Sequence, residues 1–394
     1  MNTNCKYSNN RVVVVAAQRS AISKIPGILN QMNDVDLLAA VFRTVSEGLY
    51  DWIDTAITGS AFPVERDNLC RKAILAAGMP SQITCSTISK TCASSDEALH
   101  IAYAKILSGK SQAVLVGGCE KVSNSSYVLH FMKKRVKDSY KEQIPILCNI
   151  EKTCTENDMH YIAEVLAKKL NITREEQDLF AIKSRLKAKT AFETHRFDNE
   201  IIPIRYSDDN YFQIDELLSQ VIDEDEVCTE KPMFIQDGTL TRCNTSPMCD
   251  CAVAMVLMNY DVARVADLKC LAEIKDVSCI GIPQKNMGNA MKKCVEKILD
   301  ENHLQKDDID LYEINESFAA QAIAVIQALR IDPNRVNVNG GNLALGYPIG
   351  ASGLRMCVTL IHEMIRSELK RGVSVMCGGG TMANAVLFEN ILNS

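Results

Sequence analysis

Two cysteines stand where a thiol could do more than pack. Cys92 lies in Ser89-Lys90-Thr91-Cys92-Ala93-Ser94-Ser95-Asp96-Glu97, after a β-like run and just before a helix. The unpaired N–H groups of a helix N-terminus favour a thiolate, although Asp96 and Glu97 in the first turn oppose it. Cys377 is followed by Gly378-Gly379-Gly380. Glycines let backbone N–H groups approach closely and form an anion-binding nest. A cysteine beside such a nest could move a proton next to a developing oxyanion. The chain has 16 cysteines, so a small buried residue at 92 and a strand-end turn at 377 are the plain alternatives.

Two other segments carry polar groups in irregular backbone. Asn337 to Gly353 holds five glycines in 17 residues, so it must pack tightly against something. It has neither the Gly-Lys-Ser/Thr of a P-loop nor the Gly-x-Gly-x-x-Gly of a dinucleotide site. Glu313-Ile314-Asn315-Glu316-Ser317-Phe318 interrupts a strand-to-helix transition ahead of an apolar helix, Ala319 to Leu329.

The elements that must position these residues alternate short β-rich runs with helical periodicity, an α/β pattern. Val12 to Ala16, Asp54 to Gly59, Ala113 to Val116 and Ala252 to Met258 read as strands, Asp34 to Leu49 and Asp67 to Ala77 as helices. The stretch 119–247 is richer in Lys, Glu and Asp. It contains a helix from Thr173 to Thr194 that opens on a Thr173/Glu176 capping box, and it reads as an insertion over the core. A faint internal echo is also present. A turn at Ser94, a helix Ala98 to Leu107 and a strand ending in Gly117-Gly118 are matched by a turn at Ser352, a helix Leu354 to Leu369 and a strand Val373 to Met376 ending in glycines. This points to a duplicated α/β fold.

Composition sets the outer limits. The chain has 394 residues, 47% hydrophobic and 23% charged, with a formal net charge of -6. That is a globular composition with no electrostatic reason to bind nucleic acid or a membrane surface. Neither a signal peptide nor an apolar run of membrane-spanning length is evident, so a cytoplasmic location with reduced thiols is expected. No Cys-x-x-Cys pair occurs, and Cys249-Asp250-Cys251 has no histidine near it, so no metal site is expected.

Together these segments resemble the thiolase family, the acetyl-CoA acetyltransferases and 3-ketoacyl-CoA thiolases. The matching pieces are TCASSDEAL, VGGCEKVSNSSY, CTEN, ITREEQDLFAIKS, GTLTRCNTSPMCDCAVAMVLM, EINESFAAQA, NVNGGNLALGYPIGASG and CGGG. The resemblance implies a duplicated five-layered α/β/α/β/α fold with an inserted loop domain. Its halves would be 1–118 plus 248–268 and 269–394, with the insertion at 119–247. It implies an acyltransferase of lipid metabolism that takes no bound cofactor and uses a coenzyme A thioester as substrate. Cys92 matches the nucleophile and Cys377 the acid/base. Asn315 matches the asparagine that positions an oxyanion-hole water. The N–H groups of Cys92 and Gly379 match a second oxyanion hole. Ser246 and Phe318 match substrate-binding positions, Ser246 along the pantetheine arm. The implied partner is an acyl-CoA or related thioester, and the implied assembly a homodimer, a tetramer or a complex with an active relative.

The chain departs from the family at Gly346-Tyr347-Pro348, where the family has Gly-His-Pro. That histidine activates the nucleophile and supplies an oxyanion-hole donor. A tyrosine can donate a hydrogen bond but, with a reference pKa of about 10, is no base near neutrality. None of the six histidines, His100, His130, His160, His195, His303 and His362, lies in a matching active-site segment. His160, just after CTEN, is the nearest substitute. Ser89 and Ser95 replace Asn and Gly, Ile150-Glu151-Lys152 replaces His-Met-Gly, and Arg242-Cys243 replaces Ala-Gly. The stretch around Lys133-Lys134-Arg135 is shortened and basic. The expectation is therefore a slow or altered thiolase-type acyltransferase. The alternatives are an inactive thiolase-like binding or scaffold subunit and a metal or redox role for the cysteines.

Overall fold

The computed structural model of the protein describes residues 11–62, 67–124, 127–129, 143–145, 159–219, 224–283 and 288–391. The first half runs β1 (Val12–Ser20), α1 (Asp34–Val45), β2 (Thr55–Gly59), α2 (Leu69–Ala76), β3 (Thr84–Ile88), α3 (Ser94–Leu107) and β4 (Ala113–Glu120). Helices α4 (Met159–Leu170) and α5 (Arg174–Glu193) follow, then β5 (Cys251–Asn259). The second half runs β6 (Ala272–Gly281), α6 (Ala290–Glu301), β7 (Leu311–Ile314), α7 (Ala319–Leu329), α8 (Ser352–Arg366), β8 (Arg371–Gly378) and β9 (Met382–Glu389). The expected helices and strands are present with shifts of a few residues at their ends. The expected capping box opens α5: Thr173 accepts from the Glu176 N–H at 3.2 Å and Glu176 accepts from the Thr173 N–H at 2.8 Å.

The topology is a duplication. In the first half β2 pairs parallel with β4, β4 antiparallel with β5, and β5 antiparallel with β1. In the second, β7 pairs parallel with β8, β8 antiparallel with β9, and β9 antiparallel with β6. Strand β3 adds to β2 in parallel; its counterpart is a single parallel bridge from Tyr312 to Val336. The halves join edge to edge where Val12–Val14 of β1 meets Ala272–Ile274 of β6. The result is one ten-stranded sheet, which includes a two-residue strand Ile201–Ile202 beside β1.

Alternating side chains divide this sheet among three helical layers. Leu37, Phe42 and Ile74 of α1 and α2 pack with Val13, Leu115 and Val256. Ala98 and Leu99 of α3 and Leu354 and Val358 of α8 fill the centre. They touch Val14, Val116 and Val253 from the first half and Ile274, Val386 and Phe388 from the second. Met291 and Val295 of α6 with Val325 of α7 cover Val373, Val375 and Leu387. Five layers follow, with α3 and α8 in the middle. Strands β4, β5 and β8 are buried along almost their whole length, which is why residues 113–116 and 252–258 read as unbroken apolar runs. No helix of the described residues is long and apolar enough to cross a membrane.

Candidate active site

The polar residues singled out by sequence converge where the central helices begin. Cys92 ends a turn two residues before α3. Thr91 ahead of it holds φ at +50°, a conformation rare for a β-branched residue. The turn is pinned from below by Gly59, where a Cβ would lie 2.2 Å from the Ser94 carbonyl carbon. Cys377 is the penultimate residue of β8. Gly379 and Gly380 turn beyond it at φ +60° and +78°, left-handed values that glycine adopts freely. Asn315 follows β7, and Phe318 caps α7. Tyr347 sits in the loop leading into α8, as Cys92 sits in the loop leading into α3.

The half-buried Cys92 sulfur meets three donors: the Tyr347 hydroxyl and the backbone N–H groups of Gly379 and of Cys92 itself. Burial, with the nearby Cys377, nevertheless pushes its thiol up to about 12, and the donors offset only part of this. Burial likewise raises Cys377, against hydrogen bonds from the Gly380 N–H and the Gln321 and Asn315 side chains. Burial and the two thiols hold the Tyr347 phenol well above its ordinary value. The acidic first turn of α3 opposes a thiolate less than its composition implies. Burial lifts Asp96 to about 7. Glu97 accepts from Lys90 Nζ at 2.6 Å and is lowered despite its own partial burial.

Behind the sulfurs lies a buried chain of amides and hydroxyls. Arg355 Nη2 donates to Asn342 Oδ1. Asn342 Nδ2 donates to Asn315 Oδ1 at 2.7 Å, Asn315 Nδ2 to Ser317 Oγ at 2.8 Å, and Ser317 Oγ to Tyr347 Oη at 3.2 Å. Ser246 docks on the same segment, its N–H donating to the Ser317 carbonyl at 3.0 Å and its hydroxyl to the Glu316 carbonyl. Phe318 and Gln321 form one wall of an apolar depression whose other wall is Met159, Ile162, Ala163 and Leu166 of α4.

Sequence reasoning placed Cys92, Cys377, Asn315, Tyr347, Gly379, Ser246 and Phe318 here. It missed Gln321, Ser317, Asn342 and Arg355. Gln321 was within reach, one helical turn after Phe318 and so on the same face. Ser317 stands between Asn315 and Phe318 in the same segment, whereas Asn342 and Arg355 come from separate segments that only the fold joins.

None of the five described histidines is among the partners of either sulfur. His160 stacks on Phe234 at 3.8 Å and lies edge-on to Phe318 at 5.3 Å between ring centroids, so it backs the apolar wall. His362 Nε2 faces the Ala17 carbonyl at 2.8 Å. Burial lowers His100 to about 4. His195 meets Asp198 on the surface, and His303 is exposed. His130, Lys133-Lys134-Arg135, Ile150-Glu151-Lys152 and Cys154-Thr155-Glu156-Asn157 lie outside the described residues. The bulky Arg242-Cys243 pair is held by Glu230, which accepts from Arg242 Nε at 2.8 Å and from the Cys243 N–H at 3.0 Å.

A duplicated α/β core, with one cysteine carried by each half and the two facing each other, is the class of protein this geometry defines. The thiolase N-terminal domain matches residues 12–261 and the thiolase C-terminal domain residues 268–390. The chain belongs to the thiolase family, and its fold is the thiolase-like α/β fold. It is 36% identical over 395 residues to the acetyl-CoA acetyltransferase of Cupriavidus necator, covering 96% of this chain and 99% of that one. A probable acetyl-CoA acyltransferase of Staphylococcus aureus is 33% identical, with 96% of this chain and 98% of that one covered. Among solved structures, the Bacillus anthracis acetyl-CoA acetyltransferase superposes with a TM-score of 0.90 at 34% identity, over 97% of this chain and 99% of that one. Human mitochondrial 3-ketoacyl-CoA thiolase in complex with CoA gives 0.88 at 29% identity, over 97% and 98%.

Proposed function

We propose that the chain is a thiolase-type acyltransferase that works on a short acyl-CoA thioester through an acyl-Cys92 intermediate, at a reduced or altered rate. The observation that carries this reading is the meeting of Cys92, Cys377, Tyr347 and the Gly379 N–H at one point. The described donors around both sulfurs are amides, a phenol and backbone N–H groups, so the proton traffic belongs to the sulfurs. Two neighbouring thiols do not both ionise, and the cycle closes with one proton between them.

Cys92 thiolate attacks the thioester carbonyl. The carbon–sulfur bond to coenzyme A breaks, and the leaving thiolate takes the Cys377 proton. Cys377 thiolate then removes a proton from the α-carbon of a second acyl-CoA, and the carbanion attacks acyl-Cys92. A carbon–carbon bond forms, Cys92 departs as thiolate, and the starting state returns. The N–H groups of Cys92 and Gly379 would hold the oxyanion on the acylated carbonyl, and Asn315 with Tyr347 would serve the second. Ser246 and Phe318 would line the substrate arm, with coenzyme A arriving as substrate and no resident cofactor.

Incubation with acetyl-CoA is expected to leave one acetyl group on the Cys92 peptide, read by mass spectrometry and absent in Cys92→Ala. No adduct at any pH would favour the alternative, an inactive binding or scaffold subunit. What favours that alternative is the tyrosine at 347, which leaves the nucleophile without an imidazole. We further propose the division into two halves with an insertion at 119–247, a cytoplasmic location and a homodimer. Strand β3 ends the described sheet and is only partly covered, an edge against which a second copy could dock. Light scattering is expected to give twice the chain mass.

A further inference from the structure

We propose that Ser317 is a positioning residue for the nucleophile: it locks the Tyr347 hydroxyl into donating to Cys92 Sγ, at the end of a one-way chain of donors that starts at Arg355. The proposal deepens the reading of Cys92 as nucleophile and rests on it.

The direction of the chain follows from its first member. A guanidinium has donors only, so the Arg355 contact identifies the facing Asn342 atom as the amide oxygen. The Asn342 amide nitrogen then points at Asn315 and fixes the oxygen of that second amide. The Asn315 nitrogen points in turn at Ser317 Oγ. The serine oxygen accepts that bond, and its hydroxyl donates to Tyr347 Oη. The phenol has one proton, and Cys92 packs against the cluster that contains Tyr347, so the sulfur is the acceptor the proposal assigns to it. Each link orients the next, and bonds aligned in this way strengthen one another. All five side chains from Arg355 to Tyr347 are buried, so water does not compete for these atoms.

Two effects on the thiol follow. A phenol with a free lone pair can accept the S–H proton and stabilise the neutral thiol. A phenol whose oxygen already accepts from Ser317 gives its proton to the sulfur and stabilises the thiolate. The Ser317 hydroxyl thus turns an ambivalent neighbour into a donor. It also keeps the Cys92 proton off Tyr347 and leaves Cys377 as its destination.

The test is iodoacetamide alkylation of Cys92 across pH, read on the Cys92 peptide by mass spectrometry. Alkylation needs no acyl-CoA, so a chain that fails to take an acetyl group still reports this hydrogen bond. Ser317→Ala is expected to slow alkylation about tenfold at neutral pH and to move the titration up by about one unit, the effect of one charge-assisted bond. Tyr347→Phe should show the same loss, the double variant should be no slower than Tyr347→Phe alone, and Ser317→Thr should restore the rate. Where Ser317→Ala does not fold, Ser317→Thr against Ser317→Val isolates the hydroxyl. Alkylation of the hydroxyl-free variant within about twofold of its hydroxyl-bearing partner overturns the proposal, as do losses that multiply in the double variant.

Discussion

A phenol at position 347 keeps its proton. Burial and the neighbouring thiols hold its ionisation well above the ordinary range, and Ser317 occupies its oxygen. In the proposed reaction Cys92 is therefore assisted by a donor and not by a base. Tyr347→His would supply a group that titrates near neutrality at the same place. Loss of a general base typically costs about 10²- to 10⁴-fold, so the substitution is expected to raise the rate of Cys92 acetylation by acetyl-CoA by a factor in that range, followed by quenched-flow mass spectrometry. An unchanged rate would locate the limitation on the coenzyme A side. At this scale the sequence is informative wherever a residue's own neighbours announce its place: Cys92 before a helix, Cys377 before three glycines, Asn315 between a strand and a helix. It is silent on Ser317. That hydroxyl acquires its meaning from a tyrosine 30 positions away and an arginine on another helix, and no local pattern records such a meeting.

Helix α3 follows Cys92, and its first turn carries a buried carboxylic acid. Asp96 packs against α8 so closely that a Cβ on Gly353 would lie 2.1 Å from Asp96 Oδ2, and Cys357 Sγ is 3.9 Å from the other oxygen. Burial lifts the acid from 3.8 to about 7, with Lys90 pulling the other way. A carboxyl whose folded value is raised contributes stability that is complete below the unfolded value and is lost as pH climbs through the folded one. Over the window from about pH 4 to pH 7 this group is therefore expected to weaken the fold. Asp96→Asn keeps the shape and removes the titration. Urea unfolding at pH 5 and pH 8 is expected to show a smaller loss between the two pH values for the variant than for the parent. The helices themselves were readable because their apolar stripes and caps are local. The pairing of α3 with α8 in the central layer was visible only as a faint repeat, because an internal echo records topology and not contact.

Across the whole molecule, the segment between β4 and β5 is fastened to the core by a buried charge cluster. Arg19 of β1 donates to Glu200 at 2.8 Å and to both oxygens of Asp215 at 2.8 and 2.9 Å, with all three side chains out of solvent. Removing one member of a buried ion pair leaves the others unpaired in low dielectric, at a typical cost of about 3–5 kcal/mol. Arg19→Met is expected to lower the unfolding free energy by that amount, measured by chemical denaturation. The duplicated topology has one more consequence, and it concerns symmetry. Cys92 and Tyr347 occupy corresponding loops, each entering one of the two central helices, so they face each other across an approximate twofold axis. A half-length chain pairing with its own copy would set identical residues opposite one another there, thiol against thiol or phenol against phenol. Only a single chain holding both copies can break that symmetry and place a phenol against a thiol.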